Sequence, residues 1–145
     1  DPKNSSWMQM SVEEINKRYL KNTLMEQLGI VITGFEGEVI TAKMPVDKRT
    51  HQPVGLLHGG ASVALAESIG SMASFLMLLD NPEAHVVGLE INANHIRAVK
   101  TGFVYATGAL LHKGKSTHIW DVKIKDESEN LVCVCRLTNA VIYKK

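Results

Sequence analysis

The chain has 145 residues, of which 45% are hydrophobic and 21% charged, and a formal net charge of +1. That length supports one hydrophobic core rather than two, and the composition is that of a folded domain, not a disordered chain. Near-neutral charge argues against a general nucleic-acid or anionic-membrane surface and leaves room only for a local basic cluster.

Residues 1–6 are polar and lack a starting Met, so 1–10 reads as a disordered or tag-derived segment and 11–145 as a single domain. Ser11-Val12-Glu13-Glu14 is a capping box, and Thr23-Leu24-Met25-Glu26 repeats its pattern. Gly29 is placed to stop the second of these short helices. Residues 30–35 and 38–45 are rich in β-branched side chains and predict a strand pair, with Gly34 and Gly37 around the junction. A loop-like stretch with His51, Gln52, Pro53 and Gly55 follows.

From Gly59 to Leu79 nearly every position is Ala, Ser, Leu, Ile or Met, which predicts a helix with no polar face, buried on all sides. It approaches the length of a membrane span, but Glu67 and four serines dilute it, and a core helix is the favoured reading. Asp80-Asn81-Pro82 ends it. The remainder alternates between apolar and polar positions and predicts strands at 85–97, 100–112, 115–126 and 131–143, joined by short connections that imply antiparallel neighbours. Cys133 and Cys135 share one face of the last strand and read as reduced, core-lining thiols of a cytoplasmic protein. The element order predicts an α+β domain in which an antiparallel sheet wraps around one long central apolar helix, with short N-terminal helices in front.

Glu67 carries the functional reading. An ionised carboxylate in an apolar helix costs several kcal/mol unless it is paired or hydrated, and no basic residue lies one turn away; only Ser71 offers a hydroxyl. Upstream, His58-Gly59-Gly60 stands at the helix start, where free N–H groups and the helix dipole favour a developing negative charge. The Gly59 N–H suits an oxyanion hole for a thioester carbonyl under attack. His58 and Glu67 are nine positions apart, or about 13 Å along a helix, too far to grip one carbonyl from a single chain. A second helix lying antiparallel beside the first would bring the Gly59 end of one chain to Glu67 of the other, which predicts a two-fold dimer with composite sites.

Gln52, then His58-Gly59-Gly60, Glu67 and Ser71 resemble the hotdog thioesterases of the phenylacetate-degradation type. The stretches Leu57–Val63, Leu65–Ser71 and Val86–His95 are the closest matches, and the resemblance runs in order over residues 11–143. These stretches resemble the bacterial branch that hydrolyses 1,4-dihydroxy-2-naphthoyl-CoA in menaquinone synthesis, and its relative that proofreads enterobactin assembly on a carrier protein. The resemblance implies a hotdog fold and hydrolysis of an acyl- or aryl-CoA thioester to free acid and CoA. It gives Glu67 the role of nucleophile or general base, with Gln52 and His58 orienting the thioester from the neighbouring chain. Gly59 would hold the oxyanion and Ser71 would place substrate or water.

The family's CoA contacts fall on Gly88, His95 and Arg97 and on the turn His112-Lys113-Gly114-Lys115-Ser116, where cations and backbone N–H groups suit phosphates. A dimer of dimers is the implied assembly, and CoA is part of the substrate, so no separate cofactor is expected. His85 and His118 receive no role, and no His, Cys or Asp cluster has metal-ligand spacing. Two competing readings are a hotdog dehydratase, which wants a His base poised at the substrate α-carbon, and a non-catalytic acyl-CoA binding module, which would not require a buried acid.

Overall fold

A computed structural model describes residues 10–144. The segment read as disordered or tag-derived lies outside these residues except for Met10, which packs against the core. The Ser11 hydroxyl accepts from the Glu14 N–H at 3.1 Å and opens α1 (Val12–Ile15), which continues as a π-helical turn over Asn16–Leu20. Thr23 departs from the predicted cap. It precedes α2 (Leu24–Gln27), but its hydroxyl donates backwards to the Leu20 carbonyl at 2.6 Å, and Glu26 accepts from the Asn22 N–H instead. Gly29 takes a positive φ of 75° and ends α2 as expected.

The remaining elements are β1 (Val31–Glu36), β2 (Val39–Pro45), α3 (Gly59–Met77), β3 (Ala84–His95), β4 (Phe103–Lys113), β5 (Thr117–Lys125) and β6 (Leu131–Tyr143). The strands form one six-stranded antiparallel sheet in the order β1-β2-β4-β5-β6-β3. The predicted strands thus form, but β3 does not pair with β4 as the short connection implied. The link between them crosses the sheet below the start of α3, held where the Leu57 N–H donates to the Val99 carbonyl and the Ile96 N–H to the Val132 carbonyl, both at 2.8 Å. β3 is left as an edge strand beside β6.

α3 lies in the concave face of the sheet. Its inner side presents Leu65, Ala66, Ile69, Ala73 and Leu76, all fully buried against Ile40, Val104, Trp120, Val122, Ile124 and Leu137. The expectation of burial on all sides fails. Gly60, Val63, Ala64, Glu67, Ser68, Ser71 and Phe75 remain at least partly exposed. One curved sheet covers one side of a helical cylinder, and among the described residues the other side is covered only in part, by Tyr19, Leu24 and Met25 of the N-terminal helices.

A bulge in β3 sets the register beneath the helix. In β3 the pairing with β6 slips between Gly88 and Glu90, so inward positions change from even to odd. Gly88 then pairs with Asn139, and His95 pairs with Cys133, and both face α3. A strand without the extra residue would turn one of them outward.

Candidate active site

The loop before α3 is tied down by its own backbone. The Thr50 hydroxyl donates to the Pro45 carbonyl at 2.7 Å, the His58 N–H donates to the Thr50 carbonyl at 2.8 Å, and the Gln52 N–H donates to the Leu56 carbonyl at 2.8 Å. Gly55 closes this turn with a φ of 81°, a conformation that favours glycine. His58 is the N-cap of α3, and its Nδ1 accepts from the Gly60 N–H at 2.7 Å. That bond assigns the neutral ring its proton at Nε2, so the outward nitrogen is a donor. The Gln52 Oε1 accepts from the Val54 N–H at 2.6 Å, which leaves the side-chain NH2 to donate elsewhere.

The polar residues predicted from sequence separate into three places. The first is a cavity of about 370 Å³ at the start of α3, lined by Gln52, Gly59, His95 and Arg97 together with Ser62, Leu57, Ile96 and Val132. His95 stands so close to Gly59 that a side chain there would meet its Nε2 at 2.8 Å, and its Nδ1 lies 3.5 Å from the Cys133 Sγ. The Gly59 N–H, as the first of the helix, has no intrahelical acceptor. The Ser62 hydroxyl is buried and has no hydrogen-bond partner among the described residues. This end of the helix is therefore rich in donors: the Gln52 amide, the Gly59 N–H, the Arg97 guanidinium and the His58 Nε2–H nearby.

The second place is a groove of about 640 Å³ along the open face of α3, which holds Glu67 and Ser71. Its walls are apolar: Val63, Ala64, Met72 and Phe75 from α3, Val86 from β3, and Leu24 and Met25 from α2. The Tyr19 ring packs edge-on against Phe75 at 5.0 Å and ties the N-terminal helices to this wall. Glu67 is half-buried and forms no ion pair with a basic side chain among the described residues. Its Oε2 lies directly against Gly88 of β3, where any side chain would collide with it. Gly88 therefore makes room for the carboxylate on the edge strand.

The third place is the β4–β5 turn. The Gly114 N–H donates to the Thr117 carbonyl at 2.8 Å, the Tyr143 hydroxyl donates to the Lys115 carbonyl at 3.1 Å, and the Val141 N–H donates to the Ser116 carbonyl at 2.8 Å. These bonds pin His112, Lys113, Gly114, Lys115 and Ser116 to the Val141 end of β6, whereas His95 is paired with Cys133 near the other end. Eight strand residues span about 27 Å. The structure does not bring the turn together with His95 and Arg97 in one chain. Nor does it bring Glu67 and Ser71 into the cavity of Gln52 and Gly59.

Several groups near the site belong to no sequence motif. Asn139, His118, Ser74 and Trp120 form a buried hydrogen-bonded cluster beneath Ser71. A signal for it exists in the pattern: Asn139 and His118 are polar residues on the inward parity of β6 and β5. Among the described residues no group of His, Cys, Asp or Glu is arranged to hold a metal ion.

A sheet curved around a helix, a half-buried acid in an apolar groove on that helix, and donors at its N-terminus define a hotdog-fold hydrolase. Comparison with known proteins agrees. The model of the thioesterase superfamily matches residues 54–133. A thioesterase structure from Pseudomonas aeruginosa superposes with a TM-score of 0.89 at 47% identity, covering 93% of this chain and 96% of that one. One from Haemophilus influenzae has a TM-score of 0.87 at 46% identity, covering 92% of each chain. A Vibrio cholerae protein with a provisional esterase name is 49% identical over 137 residues, 94% of this chain and 90% of that protein. This chain belongs to the thioesterase superfamily, and it is a thioester hydrolase.

Proposed function

We propose that this protein hydrolyses an aryl- or acyl-CoA thioester to the free acid and CoA, with Glu67 as the catalytic carboxylate, in composite sites shared by two chains. The observation that carries the reading is the separation of the acid from the donors. Glu67 and Ser71 lie in the apolar groove, while Gln52 and Gly59 line a different cavity at the helix start. An antiparallel second copy of α3 would unite them. Two features support that arrangement: the small residues Gly60, Ala64 and Ser68 on the groove face of the helix, and the outer edge of β3, which pairs with no strand among the described residues and where Val87 and Leu89 are exposed.

In such a site the Gln52 amide and the His58 Nε2–H orient the thioester, and the Gly59 N–H receives the charge that develops on its carbonyl oxygen. Glu67 activates water or attacks directly, and CoA leaves as the thiol. His95, Arg97 and the 112–116 turn supply cationic and backbone donors for the CoA phosphates, with the turn coming from another chain because of its distance within this one. The groove volume falls in the range of small-molecule sites. Its Phe, Met, Leu and Val walls suit a flat aromatic acyl group, in keeping with the resemblance to enzymes acting on 1,4-dihydroxy-2-naphthoyl-CoA.

The test is complementation. Glu67→Ala and Gln52→Ala chains are each expected to release little thiol from benzoyl-CoA. Unfolded and refolded together, half of the mixed dimers' sites regain both groups, so about a quarter of wild-type activity returns. Persistent inactivity of the mixture, with both variants folded and dimeric, would refute the shared site. Full activity of Glu67→Ala alone would refute the catalytic assignment.

A further inference from the structure

Ser71 lies one helical turn from Glu67, and the hydrogen bonds beneath it leave its hydroxyl a single orientation. The chain of constraints starts in the core. The Asn139 Nδ2 lies 3.2 Å from the Gly70 carbonyl and 3.1 Å from the Ser74 Oγ. A carbonyl only accepts, so the amide nitrogen must face Gly70, and the Asn139 Oδ1 must face the other way. There it meets the Ser71 Oγ at 3.3 Å. An amide oxygen only accepts, so the Ser71 proton points down to Asn139.

The same logic fixes the neighbouring residues. The Ser74 Oγ receives the Trp120 Nε1–H at 2.8 Å as well as the Asn139 amide, and these two donors occupy its lone pairs. Its own proton therefore goes to the His118 Nδ1 at 2.8 Å, which places the ring proton at Nε2. His118, Asn139, Ser74 and Trp120 are all at most 1% exposed, so no solvent competes for these bonds. Burial lowers the pKa of His118, and the nearby Lys113 and His112 act in the same direction, which favours the neutral ring that accepts from Ser74.

We propose that Asn139 is a positioning residue for hydrolysis: it takes up the Ser71 proton, so that Ser71 presents only lone pairs to the groove beside Glu67. The proposal deepens the reading of the Glu67 site and rests on it. Its chemical consequence concerns the attacking water. A water between an ionised Glu67 and Ser71 meets two acceptors, gives one hydrogen to each, and turns its own lone pair towards the thioester carbon. Glu67 then takes the proton as the water oxygen bonds to that carbon, and the carbonyl electrons move to the oxygen held by the Gly59 N–H. A freely rotating Ser71 could donate to the water instead and turn that lone pair away. Asn139 is well placed for this task because β3 and β6 pair Gly88 with Asn139, so the residue that makes room for Glu67 and the residue that orients Ser71 sit side by side.

The test is a double-mutant cycle read by thiol release from benzoyl-CoA. Asn139→Leu, which keeps the shape but neither accepts nor donates, should lower kcat about tenfold with KM within about twofold, the scale of one well-placed hydrogen bond. In the Ser71→Ala background the same replacement should change kcat less than about twofold, because the group through which Asn139 acts is gone. Equal losses in both backgrounds would overturn the proposal and assign Asn139 a structural role only, as would unchanged activity of Ser71→Ala. Neither result would touch the Glu67 assignment, which Glu67→Ala tests alone. Should Asn139→Leu fail to fold, the orientation is read directly by nitrogen-15 NMR of His118 in the wild-type protein. A bare Nδ1 with a protonated Nε2 supports the chain of donors; a protonated Nδ1 at neutral pH would overturn it.

Discussion

Gly88→Ala is the sharpest probe of the geometry around Glu67. The new methyl carbon would lie well inside contact distance of the Glu67 Oε2, and restoring an ordinary contact requires the carboxylate to retreat by about 1 Å. A displacement of that size at a reacting group costs about 100-fold in rate. The effect on stability should be small. Gly88 lies on an exposed edge strand, its φ is not in the left-handed region, and the obstructing atom is the end of a flexible side chain rather than backbone. The expected outcome is therefore a kcat for benzoyl-CoA and hexanoyl-CoA lowered about 100-fold, with thermal unfolding by circular dichroism changed by no more than a few degrees. Wild-type kcat in Gly88→Ala, alongside an inactive Glu67→Ala, would show that the carboxylate works from another position and that its placement against β3 is incidental. Loss of folding would show that the edge strand tolerates far less than its exposure suggests.

Two further outcomes follow from the core. Gly70 faces β5 and β6, and a Cβ there would meet the Leu137 Cδ2 at 2.5 Å with Trp120 behind it, so Gly70→Ala should destabilise the fold by about 1–3 kcal/mol through overpacking, measured by urea unfolding; an unchanged midpoint would mean that Leu137 repacks freely. His118 has its pKa lowered from the ordinary 6.5 by burial, so the unfolded chain binds its proton more readily than the folded one. Its contribution to stability is complete above the ordinary value and is lost as pH falls below it towards the folded value. Unfolding temperatures should therefore drop between pH 7 and 5 more steeply in the wild type than in His118→Gln, and parallel curves would refute the linkage.

The local elements were largely legible in the sequence. The Ser11 cap, the Gly29 stop, the all-apolar helix and the β6 boundaries at Leu131 and Tyr143 depend on residues near one another in the chain, where side-chain period and capping chemistry act directly. Glu67 stood out because an acid surrounded by Ala, Leu, Ile and Ser is costly wherever the helix packs. Strand neighbours were less legible. The link between β3 and β4 is short, yet it passes below the α3 N-terminus and carries β4 to β2, so loop length alone named the wrong partner for β3.

What the sequence alone determined, then, is the set of elements and the presence of one acid inside an apolar helix that opens on two glycines, because both follow from periodicity and from the cost of desolvating charge. The tertiary structure decided the rest. A single extra residue in β3 turns Gly88 and His95 to the same face. The curvature of one sheet leaves one side of α3 open among the described residues, and α2 walls that side into the groove. The partners of Ser71, which lie 68 residues away in the chain at Asn139, became visible only when β6 was laid against the helix, since a hydroxyl's direction is set by the acceptors that folding brings to it and by no property of its own.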